Sequence, residues 1–143
     1  MVQLSLSLSL VLTSVLIASP ALAAGDAEVG AKEFNKCKSC HVITADDGTV
    51  IVKGGKVGPN LYGVIGRTAG TAADFTYGES MVAAGAKGLI WDEAQLASYI
   101  QDPSAFLKTY LGDDGAKGKM MFKLAKKTED VAAYLASVAA PAP

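Results

Sequence analysis

One cluster constrains this chain more than any other feature. Cys37-Lys38-Ser39-Cys40-His41 holds both of its cysteines and its single histidine. Two cysteines that close together staple almost no loop, so a purely structural disulfide between them would contribute little stability. Three other chemistries compete for the motif. Zinc needs about four N, S or O ligands, usually drawn from two such clusters, and here it would have to recruit carboxylates. A thioredoxin-like dithiol belongs beside a βαβ unit, whereas Cys40 leads through His41 and Val42 into a polar, Gly-rich loop. The third chemistry is covalent haem attachment. Two thiols at this spacing can reach the two vinyl groups on one edge of a porphyrin, and the next residue can then bring its imidazole beneath the iron. The confinement of all cysteine and histidine to five residues favours this third reading, with one cofactor site.

An iron held by His41 has a second face. A thioether sulfur there raises the reduction potential and suits electron transfer. An open face would instead suit ligand binding or peroxide chemistry. The chain has four methionines. Met1 opens the apolar leader, Met81 lies in the mixed run Gly78-Glu79-Ser80-Met81-Val82, and Met120 and Met121 stand side by side in Gly118-Lys119-Met120-Met121-Phe122-Lys123. Methionine ordinarily fills irregular gaps in a core. The pair is therefore the leading source of a sixth ligand, with the filler role open to either residue.

Residues 1 to 24 read MVQLSLSLSLVLTSVLIASPALAA. The Leu-Ser alternation from Leu4 to Leu10 imitates a strand with one apolar face. The segment then continues into a longer apolar stretch, Pro20 and a small-residue Ala21-Leu22-Ala23 end, the pattern of a secretory signal cleaved after residue 23. No Lys or Arg precedes the apolar region, and its serines and proline make it a weak membrane anchor. The expected organisation is a cleaved signal peptide over residues 1–23 and one domain over residues 24–143, exported to the periplasm. A net charge of −1 argues against wholesale nucleic-acid binding, which needs a strongly basic face. The mature chain buries only a modest core, so a bound cofactor would supply apolar mass.

Three helices follow from pattern. Asp26 can cap a helix carrying Val29, Gly30, Ala31 and Phe34, with Asp26 and Glu28 at its positive end. Gly30 is a poor helix former, and its presence points to a close crossing. Asp92 and Gln95 form a capping-box-like start for a helix with Leu96, Tyr99 and Ile100 on one face. That helix ends at Asp102-Pro103 because a residue before proline avoids the α region, and Pro103 can open a short further helix through Leu107. Thr128 can cap a last helix whose Val131, Tyr134, Leu135 and Val138 share an apolar stripe. The stretches Thr44 to Gly58 and Ile65 to Gly88 read as loop, with no alternation that marks a sheet. The expected architecture is a small all-α domain of about four to five helices wrapped around its cofactor.

Several motifs in fixed order resemble the class I cytochromes c, in particular the larger cytochrome c2 type of purple photosynthetic bacteria. They are Gly30-x-x-x-Phe34, Cys37-x-x-Cys40-His41, Gly58-Pro59-Asn60-Leu61, Gly66-Arg67, Phe75-Thr76-Tyr77, Trp91, Leu96-x-x-Tyr99, Met120-x-Phe122 and Ala133-Tyr134-Leu135. The resemblance implies one haem c bound through Cys37 and Cys40, with His41 and Met120 on the iron. Met121 becomes the apolar packing residue of the family pattern Lys-Met-apolar-Phe. Pro59 would accept a hydrogen bond from the second ring nitrogen of His41. Arg67, Tyr77 and Trp91 resemble donors to a haem propionate, Tyr99 would lie near the methionine sulfur, and Phe122 would cover the haem edge. Gly30 would cross against Tyr134.

The segments His41–Pro59 and Leu107–Gly118 are longer than in short mitochondrial members, as in the larger bacterial type. Gly118 stands where many relatives have a threonine, so the ligand loop is expected to lose a hydroxyl hydrogen bond and some stiffness. The implied function is a soluble, monomeric one-electron carrier, not an enzyme. It would shuttle from a cytochrome bc1 complex to a photosynthetic reaction centre or terminal oxidase, docking transiently through lysines such as Lys36, Lys38, Lys53, Lys56, Lys117, Lys119 and Lys123. A haem-based sensor or peroxidase-like enzyme with a displaceable sixth ligand is the alternative reading.

Overall fold

The computed structural model describes residues 25–138; the signal-peptide assignment falls outside them. Helix α1, Ala27–Glu33, starts where Asp26 accepts from the amides of Glu28 and Val29, and it tightens into a 3₁₀ turn over Phe34–Lys36. Helix α5, Thr128–Ser137, packs across α1. The crossing is as close as Gly30 foreshadows: a Cβ at Gly30 would lie 1.9 Å from the Asp130 carbonyl oxygen and 2.8 Å from Tyr134 Cβ. The rings of Phe34 and Tyr134 meet at 5.5 Å. Helices α3, Glu93–Gln101, and α4, Pro103–Leu111, share Asp102, which closes the first and caps the second by accepting from the amide of Ala105. Helix α3 also packs on α5. The most deeply buried large side chains are Phe34, Ile43, Leu89, Leu107, Leu135 and Val131, with Pro103 beside them.

Four details correct the sequence-based reading. Strands β1, Ile43–Thr44, and β2, Val50–Val52, form an antiparallel hairpin inside the expected loop. Two or three residues are too few for alternation to register. The turn residues do carry the signal: Gly48 takes φ +86° and the Thr49 amide donates to Asp47 Oδ1, as expected of Asp-Gly between short strands. Helix α2, Glu79–Ala86, lies within the second expected loop. Its cap position is Gly78, which offers no side-chain acceptor, so no start signal marks it. Helix α4 runs to Leu111, beyond Leu107, until Gly112 turns the chain at φ +69°. Finally, Thr128 is the first helical residue rather than the cap. Lys127 occupies the cap position in the left-handed region, and the buried Thr128 hydroxyl donates to Glu129.

Candidate haem site

Cys37 to His41 form a single helical turn. The amides of Cys40 and His41 both reach the Cys37 carbonyl at 3.0 Å, and the Lys38 amide donates to Phe34 O at 3.2 Å. Residues three and four apart then share a face, so both thiols and the imidazole front one cavity of about 470 Å³. That volume lies within the range of about 300–1,000 Å³ usual for small-molecule sites. Phe34, Leu61, Val64, Leu96, Ile100, Val131 and Leu135 are among its apolar walls. No disulfide joins the two cysteines. Burial pushes the Cys37 thiol up to about 11, the opposite of the low value that makes a dithiol reactive in exchange. Among the described residues no group of three or more His, Cys, Asp or Glu could hold a metal ion.

His41 is buried, and its Nδ1 donates to the Pro59 carbonyl at 2.8 Å. This bond fixes the tautomer and leaves Nε2 with its lone pair, as a metal ligand requires. Burial lowers the imidazole pKa, opposed by the bond to Pro59, so the ring is held neutral. Gly58 lies flat against it: a Cβ there would stand 2.3 Å from His41 Cε1. Pro59 is in turn braced by Asn60. The Asn60 side-chain oxygen accepts from the amides of Thr44 and Tyr62, and its nitrogen donates to Thr44 O. Sequence reasoning passed over Asn60 as a turn residue, because its partner strand was itself unrecognised.

The remaining expected residues gather at the same cavity. Arg67, Tyr77, Trp91, Tyr99, Met120 and Phe122 all line it. Arg67 donates to the carbonyls of Tyr62 and Asn60, and its own carbonyl accepts from the Trp91 amide. Burial raises the Tyr99 phenol to about 12. Neither the Trp91 indole nor the Tyr99 hydroxyl has a hydrogen-bond partner among the described residues. Both side chains line the cavity that also holds Arg67, so their donors are open to a bound group there. The methionine pair divides: Met120 is half-buried against the core while Met121 is 83% exposed. Met81, which the pattern had set aside, is buried on α2 and also lines the cavity.

The segment leading to Met120 is held at three successive residues. The Lys117 amide donates to Ser80 Oγ at 3.0 Å, the Gly118 amide to Ser104 Oγ at 3.1 Å, and Lys119 Nζ to the Thr76 carbonyl at 2.7 Å. Lys119 Nζ also sits 5.5 Å from the Phe75 ring centroid. The stiffness expected to be lost with threonine at Gly118 therefore has hydroxyl substitutes from elsewhere in the chain.

No family model matches the chain, but individual proteins do. It is 62% identical to cytochrome c2 of Rhodobacter capsulatus over 125 residues, covering 87% of this chain and 90% of the relative. It is 58% identical to cytochrome c-551 of Roseobacter denitrificans, covering 92% and 94%. The solved structure of cytochrome c2 from Rhodobacter capsulatus superimposes with a TM-score of 0.79 at 65% identity, covering 80% of this chain and 98% of that one. The chain belongs to the cytochrome c2 family. It is an electron-transfer protein with the small all-α cytochrome c fold, and it carries one haem c, covalently held through Cys37 and Cys40.

Around the mouth of this cytochrome c2 cavity the charges are uneven. Lys36 pairs with Glu33 and Lys123 with Asp102, both at 2.6 Å, while Lys119 is spent on Thr76. The Gly55 amide bonds to Lys38 O, which ties the Lys38 backbone to the segment that carries Lys53 and Lys56. Lys117 belongs to the segment that leads to Met120. None of these last four has an ion-pair partner among the described residues. The side chains of Val57, Met121 and Phe122 line the cavity and are exposed, so they lie at its rim. No helix among the described residues is long and apolar enough to cross a membrane.

Proposed function

We propose that this cytochrome c2 carries single electrons on a haem iron that His41 and Met120 would hold. The observation that carries the reading is that Met120 lines the cavity His41 fronts and packs half-buried against the core, whereas Met121, also on the lining, is 83% exposed. Met120 sits in a segment without regular structure, free to direct its sulfur. Met81 belongs to the buried face of α2, where methionine is ordinary packing. A His/Met pair keeps both iron positions filled and raises the potential. The protein's part is then to hold the ligands still, exclude water from the cavity and leave one edge near the surface. Pro59 fixes the His41 ring, Tyr99 stands beside the Met120 side of the cavity, and Arg67, Tyr77 and Trp91 offer donors to the propionates. Phe122 covers the exposed edge.

Residues 1–23 act as a cleaved signal peptide, and residues 24–143 work as a soluble periplasmic protein. By family resemblance the donor is a cytochrome bc1 complex and the acceptor a photosynthetic reaction centre or terminal oxidase. Lys38, Lys53, Lys56 and Lys117 are the lysines that would flank the exposed apolar residues Val57, Met121 and Phe122 in a docking face. Such a surface suits transient docking to an acidic partner, where charge steers encounter and desolvated apolar contact brings the edges together. The sensor or peroxidase reading needs a yielding sixth site, and the three tethers upstream of Met120 count against it.

The test is the optical spectrum of the reduced holoprotein with and without carbon monoxide. The wild type is expected to stay low-spin and unaltered by the gas, while Met120→Ala binds it readily. Carbon monoxide binding by the wild type would overturn the carrier reading in favour of the sensor or enzyme. A Met120→Ala protein that excludes the gas would pass the ligand role to another residue.

A further inference from the structure

We propose that Ser80 and Ser104 are positioning residues for the sixth iron ligand, holding the segment that enters Met120 so that its sulfur stays in place. The proposal rests on the reading of Met120 as that ligand. Each serine is the second residue of its helix, α2 or α4, so both hydroxyls are presented from rigid elements. Each accepts from a backbone amide of the ligand segment: Lys117 onto Ser80 at 3.0 Å, Gly118 onto Ser104 at 3.1 Å. The contact continues below Gly118, where a Cβ would stand 3.1 Å from Pro103 Cβ. Glycine at this position removes a side-chain hydroxyl from the segment and adds backbone freedom. The two helix-borne hydroxyls take over that restraint from outside the segment. Withdrawal of Met120 then requires breaking amide bonds to two different helices, not merely bending a glycine-bearing loop.

Imidazole affinity of the ferric holoprotein reads this directly, since imidazole binds only when the sulfur has left. The Ser104 bond is half-buried and the Ser80 bond is exposed, so the former counts for more. Given the usual net value of a hydrogen bond, Ser104→Ala is expected to bind imidazole about fivefold tighter, Ser80→Ala about twofold, and the double variant about tenfold. The far-red sulfur-to-ferric-iron absorption should weaken in the same order, and Ser104→Thr, which retains a hydroxyl, should stay near wild type.

Lys87→Gln serves as the structural control. It removes the bonds from Lys87 Nζ to the Tyr110 and Leu111 carbonyls at the end of α4, and should lower thermal stability without changing imidazole affinity. Unchanged affinity in the serine variants, or an equal gain in Lys87→Gln, would overturn the proposal. If Met120→Ala also leaves imidazole affinity and the far-red absorption unchanged, the ligand assignment falls as well. If Met120→Ala gains affinity while the serine variants do not, only the positioning role is lost.

Discussion

Gly30→Ala sets two physical effects against each other, and the structure decides which wins. Alanine is the better helix former by about 1 kcal/mol, so on local grounds the substitution should stabilise α1. Its Cβ, however, would lie 1.9 Å from the Asp130 carbonyl oxygen, where ordinary contact starts at 3.4 Å. The obstacle is backbone, which no rotamer change can move. Helices α1 and α5 must therefore part by about 1.5 Å, and a gap approaching even 1 Å already forfeits up to half of the dispersion well for each facing atom pair. Overpacking of this kind costs about 1–3 kcal/mol, here at the upper end because two whole helices shift. The net destabilisation is about 2 kcal/mol, a fall in Tm of roughly 8 °C for a domain of this size. Thermal unfolding of the ferric holoprotein by far-ultraviolet circular dichroism measures it. Adding Tyr134→Ala should not rescue the variant, because the nearest clash is with Asp130 O. A Tm unchanged or raised by Gly30→Ala would show that helix propensity dominates and that the crossing is looser than described.

Two further outcomes follow from the site. Gly58→Ala drives a methyl into the His41 ring, whose Cε1 lies 2.3 Å from the new Cβ position, and breaks the 2.8 Å bond to Pro59. Loss of that bond, worth about 1 kcal/mol, leaves a less basic ligand, so the reduction potential should rise by about 40 mV by cyclic voltammetry; an unchanged or lower potential would refute the role of Pro59. Burial holds the Tyr99 phenol up at about 12, against an ordinary value of about 10. The folded state thus favours the neutral phenol, and the stability this contributes is complete below about pH 10 and lost between about pH 10 and 12. Tyr99→Phe should flatten that alkaline fall in a urea-midpoint profile, and a profile identical to wild type would show that Tyr99 ionises freely.

How much was legible in advance differed by the range of the interaction. The capped helices at Asp26 and Asp92 announce themselves because a cap is a contact within three residues, and both acceptors sit as the pattern requires. Asp102, read only as a helix end, also caps α4, while the expected cap Thr128 is the first helical residue. Helix α2 carries no such acceptor, so nothing local distinguishes it from loop. The hairpin was missed because its strands are shorter than any period, and Asn60 was missed with it. Gly118 illustrates the opposite error. Its local reading, a lost hydroxyl and a softer loop, is sound chemistry, but Ser104 lies fourteen residues away and Ser80 thirty-eight, so their compensation was invisible.

The sequence by itself determined the chemistry of attachment, since Cys37, Cys40 and His41 fall on one helical turn and covalent spacing is a local property. It also determined the capped helices and, through ordered motifs, the family. Only the tertiary structure decided that Met121 is exposed while Met120 packs half-buried, that Met81 shares the cavity, that Pro59 is braced by Asn60, and that the approach to Met120 is held from two helices. Those facts depend on which distant segments come within about 3 Å of one another, and a hydrogen bond between residues far apart in the chain leaves no spacing pattern to read.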